Sequence, residues 1–466
     1  MSVPANAQTS RLELGRRLKR FELVWEAAAP AERTKSVAPL KVAVTSFFSL
    51  NLPEAGRQLD QAWLAVRGQK ASALEDSVIS LQCLPTPVCA DVNATAISLQ
   101  AKPFYGAQAS LPEDVRVQVK LHDATGALLT ESEFALKEMS EPVAWETGIL
   151  PEGDHALSVT FVLESETYEP PAITISRIAN LEARIAALEK AAAARKASAA
   201  NDLQRTVAAT LRDEARLIRN LSQGRLQEAD FPILSRLQFC ESLAGDIFDP
   251  ANVTKSVAGK SDVWMTLAKG TKTASTRLRF PASLEKPLPV LFVFHGAGGS
   301  ENMFFETYGA GRVIREAEKR GWLVVSPGQG LLGLSLGLSD MLDALEPFAK
   351  LDRSRIMVLG HSMGAAQVMT QVQKHPTLPI AAIALGGGSR MAVKDASQAP
   401  KARWFVAAGE QDFGRSGARQ LHRSLTDAGV QSQYKDYPEV EHLVIVQAAI
   451  DDSFKFLDDV LANTKP

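Results

Sequence analysis

The chain has 466 residues, with 51 Lys and Arg against 53 Asp and Glu, and 45% of it is hydrophobic. A formal charge of −2 gives no basic surface for nucleic acid. Three cysteines are too few for a disulfide scaffold or a structural zinc site, and no Cys/His or carboxylate grouping has metal spacing, so no metal and no cofactor is expected.

At roughly 100–200 residues per domain, the length suits two to four domains. Residues 1–70 read as a helical module. Leu14, Leu18, Phe21 and Trp25 share one helical face, Pro30 ends that helix, and a further helix from Pro53 turns Leu59, Trp63 and Val66 inward. Val37–Leu52 carries Lys41 and is too short to span a bilayer, so it reads as core. Pro4-Ala5-Asn6-Ala7-Gln8 looks like the tail of a signal peptide, which points to an extracytoplasmic protein, or a cytoplasmic one if Met1 is the true start.

From 71 to 177 the hydrophobic period becomes two: Val115, Val117, Val119 and Leu121, then Leu157, Val159, Phe161 and Leu163. Turn signals such as Asp123–Gly126 separate these runs, which predicts a β-sandwich of immunoglobulin-like type. His122 and His155 read as surface or turn residues. Cys83 and Cys89 lie close enough to pair, or are two buried thiols. Residues 178–250 are helical, with Ile178, Leu181, Ile185, Leu188 and Ala192 at coiled-coil spacing. They form either a hairpin or one long helix, and 178–223 offers a seam for self-association.

From 251 to 466 strand and helix patterns alternate, the sign of a mostly parallel sheet. Strands are expected at 263–267, 276–280, 289–295, 322–326, 355–360, 380–386, 403–408 and 433–437. Helices are expected at 312–320, 338–348, 363–374, 416–428 and 443–461. This segment is expected to fold by itself from about residue 250. Within it, Gly360-His361-Ser362-Met363-Gly364 reads G-x-S-x-G between an apolar strand and a helix, the context of a nucleophile elbow. The helix beginning at Ser362 turns its free N–H groups and positive dipole end towards a bound group.

This order resembles the α/β-hydrolase superfamily over about 262–462. Leu351-Asp-Arg-Ser-Arg-Ile356 leading to the elbow resembles the compact esterases related to dienelactone hydrolases and to polyhydroxybutyrate-depolymerase-type or feruloyl esterases. The resemblance implies a triad in the order Ser362, Asp412, His442, with Glu410 as a near rival for the acid. Phe294-His295-Gly296-Ala297-Gly298-Gly299-Ser300 resembles the family's oxyanion loop. The N–H groups of Met363 and Ala297 are the expected donors, with Gly296 and Gly298 as alternatives, and His295, Gly298 and His361 border the substrate. His361, preceding the nucleophile, also has a structural reading. The loop 328–337 is expected to border an apolar pocket, and 388–401 is too short for a cap domain. The implied reaction is ester hydrolysis through an acyl-enzyme, on a small or polymeric ester. A serine peptidase of the prolyl-oligopeptidase type and a non-enzymatic binding protein on the same fold stand as alternatives.

Overall fold

The computed structural model describes residues 5–106, 113–245, 249–330, 333–392 and 400–463, with side chains from residue 11 onward. Pro4 of the signal-like pentapeptide, 331–332 of the glycine-rich loop and 393–399 of the loop expected to lack a cap lie outside the described residues. The chain divides into two compact units, Met1–Lys190 with Asp213–Gln238, and Ala191–Arg212 with Phe239–Pro466.

The first unit opens with α1 (Ala5–Ala27), α2 (Pro30–Thr34), α3 (Val37–Phe48), α4 (Leu52–Arg67) and α5 (Ala73–Val78). Pro30 starts α2, where its missing N–H costs nothing. Asn51 caps α4 by accepting from Glu54 N–H, and Ser72 with Glu75 forms a reciprocal capping box on α5. The buried face of α1 departs from the apolar stripe: Leu18 is only half-buried, whereas Arg17 and Arg20 are buried against Asp60 of α4. Among the described residues, no helix is long and apolar enough to cross a membrane.

The strands that follow are β1 (Leu81–Thr86), β2 (Cys89–Asp91), β3 (Ala96–Pro103), β4 (Arg116–His122), β5 (Leu128–Ala135), β6 (Val143–Glu146), β7 (Gly153–Leu163), β8 (Glu166–Tyr168) and β9 (Ile173–Ile178). They form one sheet in the order β1-β3-β6 and another in the order β2-β9-β7-β4-β5, with β8 on β7. The period-two residues Val117, Val119, Leu121, Leu157, Val159 and Phe161 are buried, although Leu163 is only half-buried. His155 corrects the surface expectation: it is buried on β7 with Nε2 at 2.9 Å from the Pro151 carbonyl. Cys83 and Cys89 are free, buried thiols, each pushed up to about 12 by burial.

Helices α6 (Leu181–Ser198) and α7 (Asp202–Ser222) are separate, so one continuous helix does not form. Asn201 caps α7 at Gln204 N–H. Arg219 of α7 forms ion pairs with Glu182 and Glu189 of α6. Helix α8 (Ile233–Ala244) follows.

The second unit adds α9 (Pro250–Val257), β10 (Val263–Lys269), β11 (Lys272–Arg279), β12 (Leu288–Phe294), α10 (Met303–Glu306), α11 (Tyr308–Lys319), β13 (Leu323–Pro327), α12 (Leu338–Leu345), β14 (Leu351–His361), α13 (Met363–Lys374), β15 (Pro379–Leu385), β16 (Arg403–Gly409), α14 (Arg415–Asp427), β17 (Ser432–Tyr437) and α15 (Ile445–Ala462). Each expected strand and helix of this segment is present, displaced by a few residues at its ends. Among the described residues the sheet runs β10-β11-β13-β12-β14-β15-β16-β17, antiparallel through β10, β11 and β13 and parallel from there on. Its central strands are buried along their length, which is why they read as continuous apolar runs. The edge strand β10 is covered from upstream. Thr210 and Thr206 of α7 accept from the N–H groups of Thr266 and Ala268, each at 3.0 Å, and Asp202 accepts from Gly270 N–H. A buried edge needs such partners for its backbone donors. This sheet thus takes backbone partners from residues before 250.

Candidate active site

Strand β14 ends in a turn that only a narrow set of residues fits. A Cβ on Gly360 would lie 2.1 Å from the Gly364 carbonyl oxygen, and one on Gly364 would lie 1.9 Å from that of Phe294. Between them Ser362 adopts φ 57°, ψ −118°, a conformation costly for any residue with a side chain. The turn holds the Ser362 hydroxyl, which is partly exposed, at the parallel strands' carboxyl ends.

Asp412 comes from the loop after β16 and His442 from the short 3₁₀ turn His442–Val444 between β17 and α15. His442 Nδ1 lies 2.7 Å from Asp412 Oδ1, and Nε2 lies 2.9 Å from Ser362 Oγ. A carboxylate only accepts, so Nδ1 carries the proton and donates to Asp412, which leaves Nε2 to accept from the serine hydroxyl. Asp412 is buried, and its Oδ1 also accepts from Gly414 N–H at 2.6 Å. Glu410 is exposed and faces Arg415 at 3.8 Å, so the rival carboxylate is turned away.

Met363 N–H opens α13 and has no earlier carbonyl of its own helix to bond. Ala297 sits partly exposed in the loop after β12, beside Gly298 at φ 78°. Gly296 departs from its expected role, because its N–H donates to Tyr308 Oη at 3.3 Å. His295 and His361 depart as well. Both are buried, so neither presents a face to a substrate. His295 donates from Nδ1 to the Gly296 carbonyl at 2.8 Å. His361 has Nδ1 at 2.7 Å from Tyr308 Oη and Nε2 at 3.0 Å from the His442 carbonyl. Burial, with the neighbouring His442 adding to it, holds its pKa well below the ordinary histidine value, so it is neutral.

Three further residues carried no signal in the sequence. Tyr308 is buried against His361 with ring centroids 5.1 Å apart. Phe413 is 61% exposed, and its ring centroid lies 4.0 Å from that of His442. Glu441 is buried and accepts from Leu443 N–H at 2.7 Å, and burial pushes its carboxyl up to about 7. His375 and His422 lie outside this group; His422 Nδ1 meets Ser432 Oγ at 2.9 Å. Among the described residues, no cluster of His, Cys, Asp or Glu has the arrangement of a metal site.

The Alpha/beta hydrolase family model matches residues 290–459. No curated protein matches the chain. Among solved structures, the chain is similar to a ferulic acid esterase at 18% identity, over 43% of this chain and 98% of that one, with a TM-score of 0.38. It is similar to the feruloyl esterase module from Clostridium thermocellum complexed with sinapinate at 15% identity, over 42% and 87%, with a TM-score of 0.35. It is also similar to a fluorophosphonate-binding serine hydrolase from Staphylococcus aureus at 15% identity, over 42% and 98%, with a TM-score of 0.35. With its elbow, its parallel sheet and its family match, the stretch 290–459 is an α/β-hydrolase segment.

Proposed function

We propose that this segment is a serine carboxylesterase working through an acyl-enzyme. The observation that carries the reading is the chain of hydrogen bonds from Asp412 through His442 to Ser362, ending on a hydroxyl held in strained backbone. His442 Nε2 takes the hydroxyl proton as Oγ attacks the ester carbonyl, and Asp412 keeps the imidazole in the required tautomer and steadies its charge. The oxyanion is received by the N–H groups of Met363 and Ala297. Protonated His442 then gives its proton to the leaving alcohol, and water repeats the sequence to release the acid. The apolar face of Phe413 beside His442 suits an apolar acyl or alcohol group.

Upstream, we read 71–177 as an immunoglobulin-like β-sandwich and 178–250 as a helical hairpin or coiled coil open to self-association. They contribute access or location, bringing the site to a large or anchored ester, and tethering of that kind acts through effective concentration.

The test is a panel of p-nitrophenyl acyl esters, feruloyl esters and aminoacyl anilides with wild type and Ser362→Ala. Wild type is expected to cleave esters, and the variant to lose on the order of 10⁴-fold or more in kcat/KM at an unchanged thermal midpoint. Anilide cleavage without ester cleavage would make it a peptidase. An inert wild type across the panel would favour a binding protein.

A further inference from the structure

Behind the nucleophile lies a line of buried polar groups that the proposed chemistry does not use. Gly296 N–H donates to Tyr308 Oη at 3.3 Å, so the tyrosine hydroxyl directs its own proton to His361 Nδ1, 2.7 Å away. That leaves His361 with its proton on Nε2, which donates to the main-chain carbonyl of His442 at 3.0 Å. The direction of every bond is set, because Gly296 N–H can only donate, the His442 carbonyl can only accept, and His361 is neutral. The line therefore runs from the loop that follows β12 to the turn that carries the base.

The backbone beneath Tyr308 is unusual. Tyr308, Gly309, Ala310 and Gly311 all have positive φ, at 54°, 77°, 48° and 80°, one turn of left-handed backbone before α11 proper begins. For Tyr308 and Ala310 this is sterically disfavoured, and such strain persists only where the surroundings enforce it. A Cβ on Gly311 would lie 2.5 Å from the Phe305 carbonyl oxygen, so the turn is closely packed. Its outcome is a phenol buried to 1% exposure, between the rings of Phe304 and His361 at 4.6 and 5.1 Å.

We propose that Tyr308 and His361 form a buried tether that fixes the oxyanion loop and the His442 turn at one mutual spacing. Both are positioning residues, acting through Gly296 and through the His442 backbone. Resting on the esterase reading, the proposal gives the strained turn a role: an ordinary right-handed start to α11 would carry the phenol elsewhere. A misplaced oxyanion donor or base weakens transition-state contacts more than substrate contacts, so the loss falls on kcat.

The experiment compares full-length wild type, Tyr308→Phe and Ser362→Ala with p-nitrophenyl butyrate and by imidazole ¹⁵N NMR. Tyr308→Phe is expected to keep its thermal midpoint and to hold KM within about twofold, but to lower kcat about ten- to hundredfold. Wild type is expected to hold the His361 imidazole, assigned by the signal that His361→Gln removes, as the neutral Nε2–H tautomer well below the ordinary histidine range, and Tyr308→Phe to release it. An unchanged kcat overturns the tether, whether or not the thermal midpoint falls. If Ser362→Ala matches wild type on the ester, the esterase reading fails separately and the tautomer decides. A wild-type His361 that titrates near 6.5 then overturns the tether, and a fixed tautomer released by Tyr308→Phe upholds it.

Discussion

Each unit buries a cluster of ionisable groups, and the two are closed in opposite ways. In the first unit, Asp60 accepts from Arg17, Arg20 and the Tyr105 hydroxyl. Arg17 also donates to the Ile79 and Leu81 carbonyls, and Arg20 lies over the Trp63 ring at 4.3 Å. Asp60 is 1% exposed, its named partners are two guanidinium groups and a phenol, and the guanidinium groups are in turn held by backbone and ring. In the second unit, the line from Asp412 through His442 ends on Ser362, which is partly exposed and held in strained backbone. A buried charge surrounded by partners acts as cement; a buried charge whose line of hydrogen bonds ends at an open hydroxyl has the arrangement that the proposed proton transfer needs. Burial alone does not separate the two, and the last group in the line does.

The sharpest way to break this comparison is to exchange the expected phenotypes. His442→Ala is expected to lower kcat/KM on the order of 10⁵-fold, and Asp412→Asn about 10³- to 10⁴-fold, because the first removes the base and the second only misdirects it. Both keep a wild-type thermal midpoint. Glu410→Gln stays near wild type, since its carboxylate is exposed. Steady-state kinetics beside thermal melts check all three, and a crippled Glu410→Gln would reassign the acid.

Asp60→Ala reverses the pattern. It leaves Arg17 with Glu13 alone and takes from the buried Arg20 guanidinium its carboxylate partner, a change of the kind that costs about 3–5 kcal/mol. The expected result is a clear fall in the first unit's unfolding midpoint, with unaltered ester turnover per folded molecule. Lost turnover in a still-folded variant would contradict the assignment of this cluster to structure alone.

The two clusters were also unequally legible. Gly360, Ser362 and Gly364 lie in one short run, and steric exclusion by two missing Cβ atoms is a local property that sequence spacing records. The serine, acid and histidine order adds three strand ends that the alternating pattern had already located. Arg17 and Arg20 follow the spacing of a solvated helix face, and only tertiary contact with Asp60, forty residues on, buries them. Tyr308 has the same history. Gly309 and Gly311 hint at a turn, yet nothing local points the phenol at a histidine 53 residues later. The cover of β10 by Thr206 and Thr210 was hidden likewise, because a threonine on a helix carries no mark of the strand it will cap.

Glu441 sharpens the comparison through pH. Its carboxyl is raised to about 7 by burial, with Asp412 adding to the effect and His442 opposing it. Between the unfolded value, about 4.3, and 7, the folded protein holds a proton that the unfolded chain has released. The stability so contributed is fully present below that range and is lost as pH rises through about 7, by roughly 4 kcal/mol. Glu441→Gln removes this dependence, so its melting temperature is expected to change less than that of wild type between pH 5 and 8. Parallel curves for the two proteins would show that Glu441 does not titrate in that window.

The smallest effect concerns Phe413, at the open end of the line. A phenylalanine 61% exposed beside the proposed base His442 keeps its ring in water until something apolar covers it. Fully burying such a side chain is worth about 1.5–3 kcal/mol, and part of the ring is already covered by His442. Covering the rest therefore corresponds to about a tenfold gain. Phe413→Ala is expected to raise KM about tenfold for a p-nitrophenyl ester with a medium-length acyl chain and to leave the acetate nearly unchanged. A ring that only shields His442 from water would give a different pattern, lowering kcat equally for every chain length. Acyl chain length against kcat and KM, measured in one series, separates the two: a graded KM effect makes Phe413 part of the binding surface, and a uniform kcat effect makes it a cover for the base.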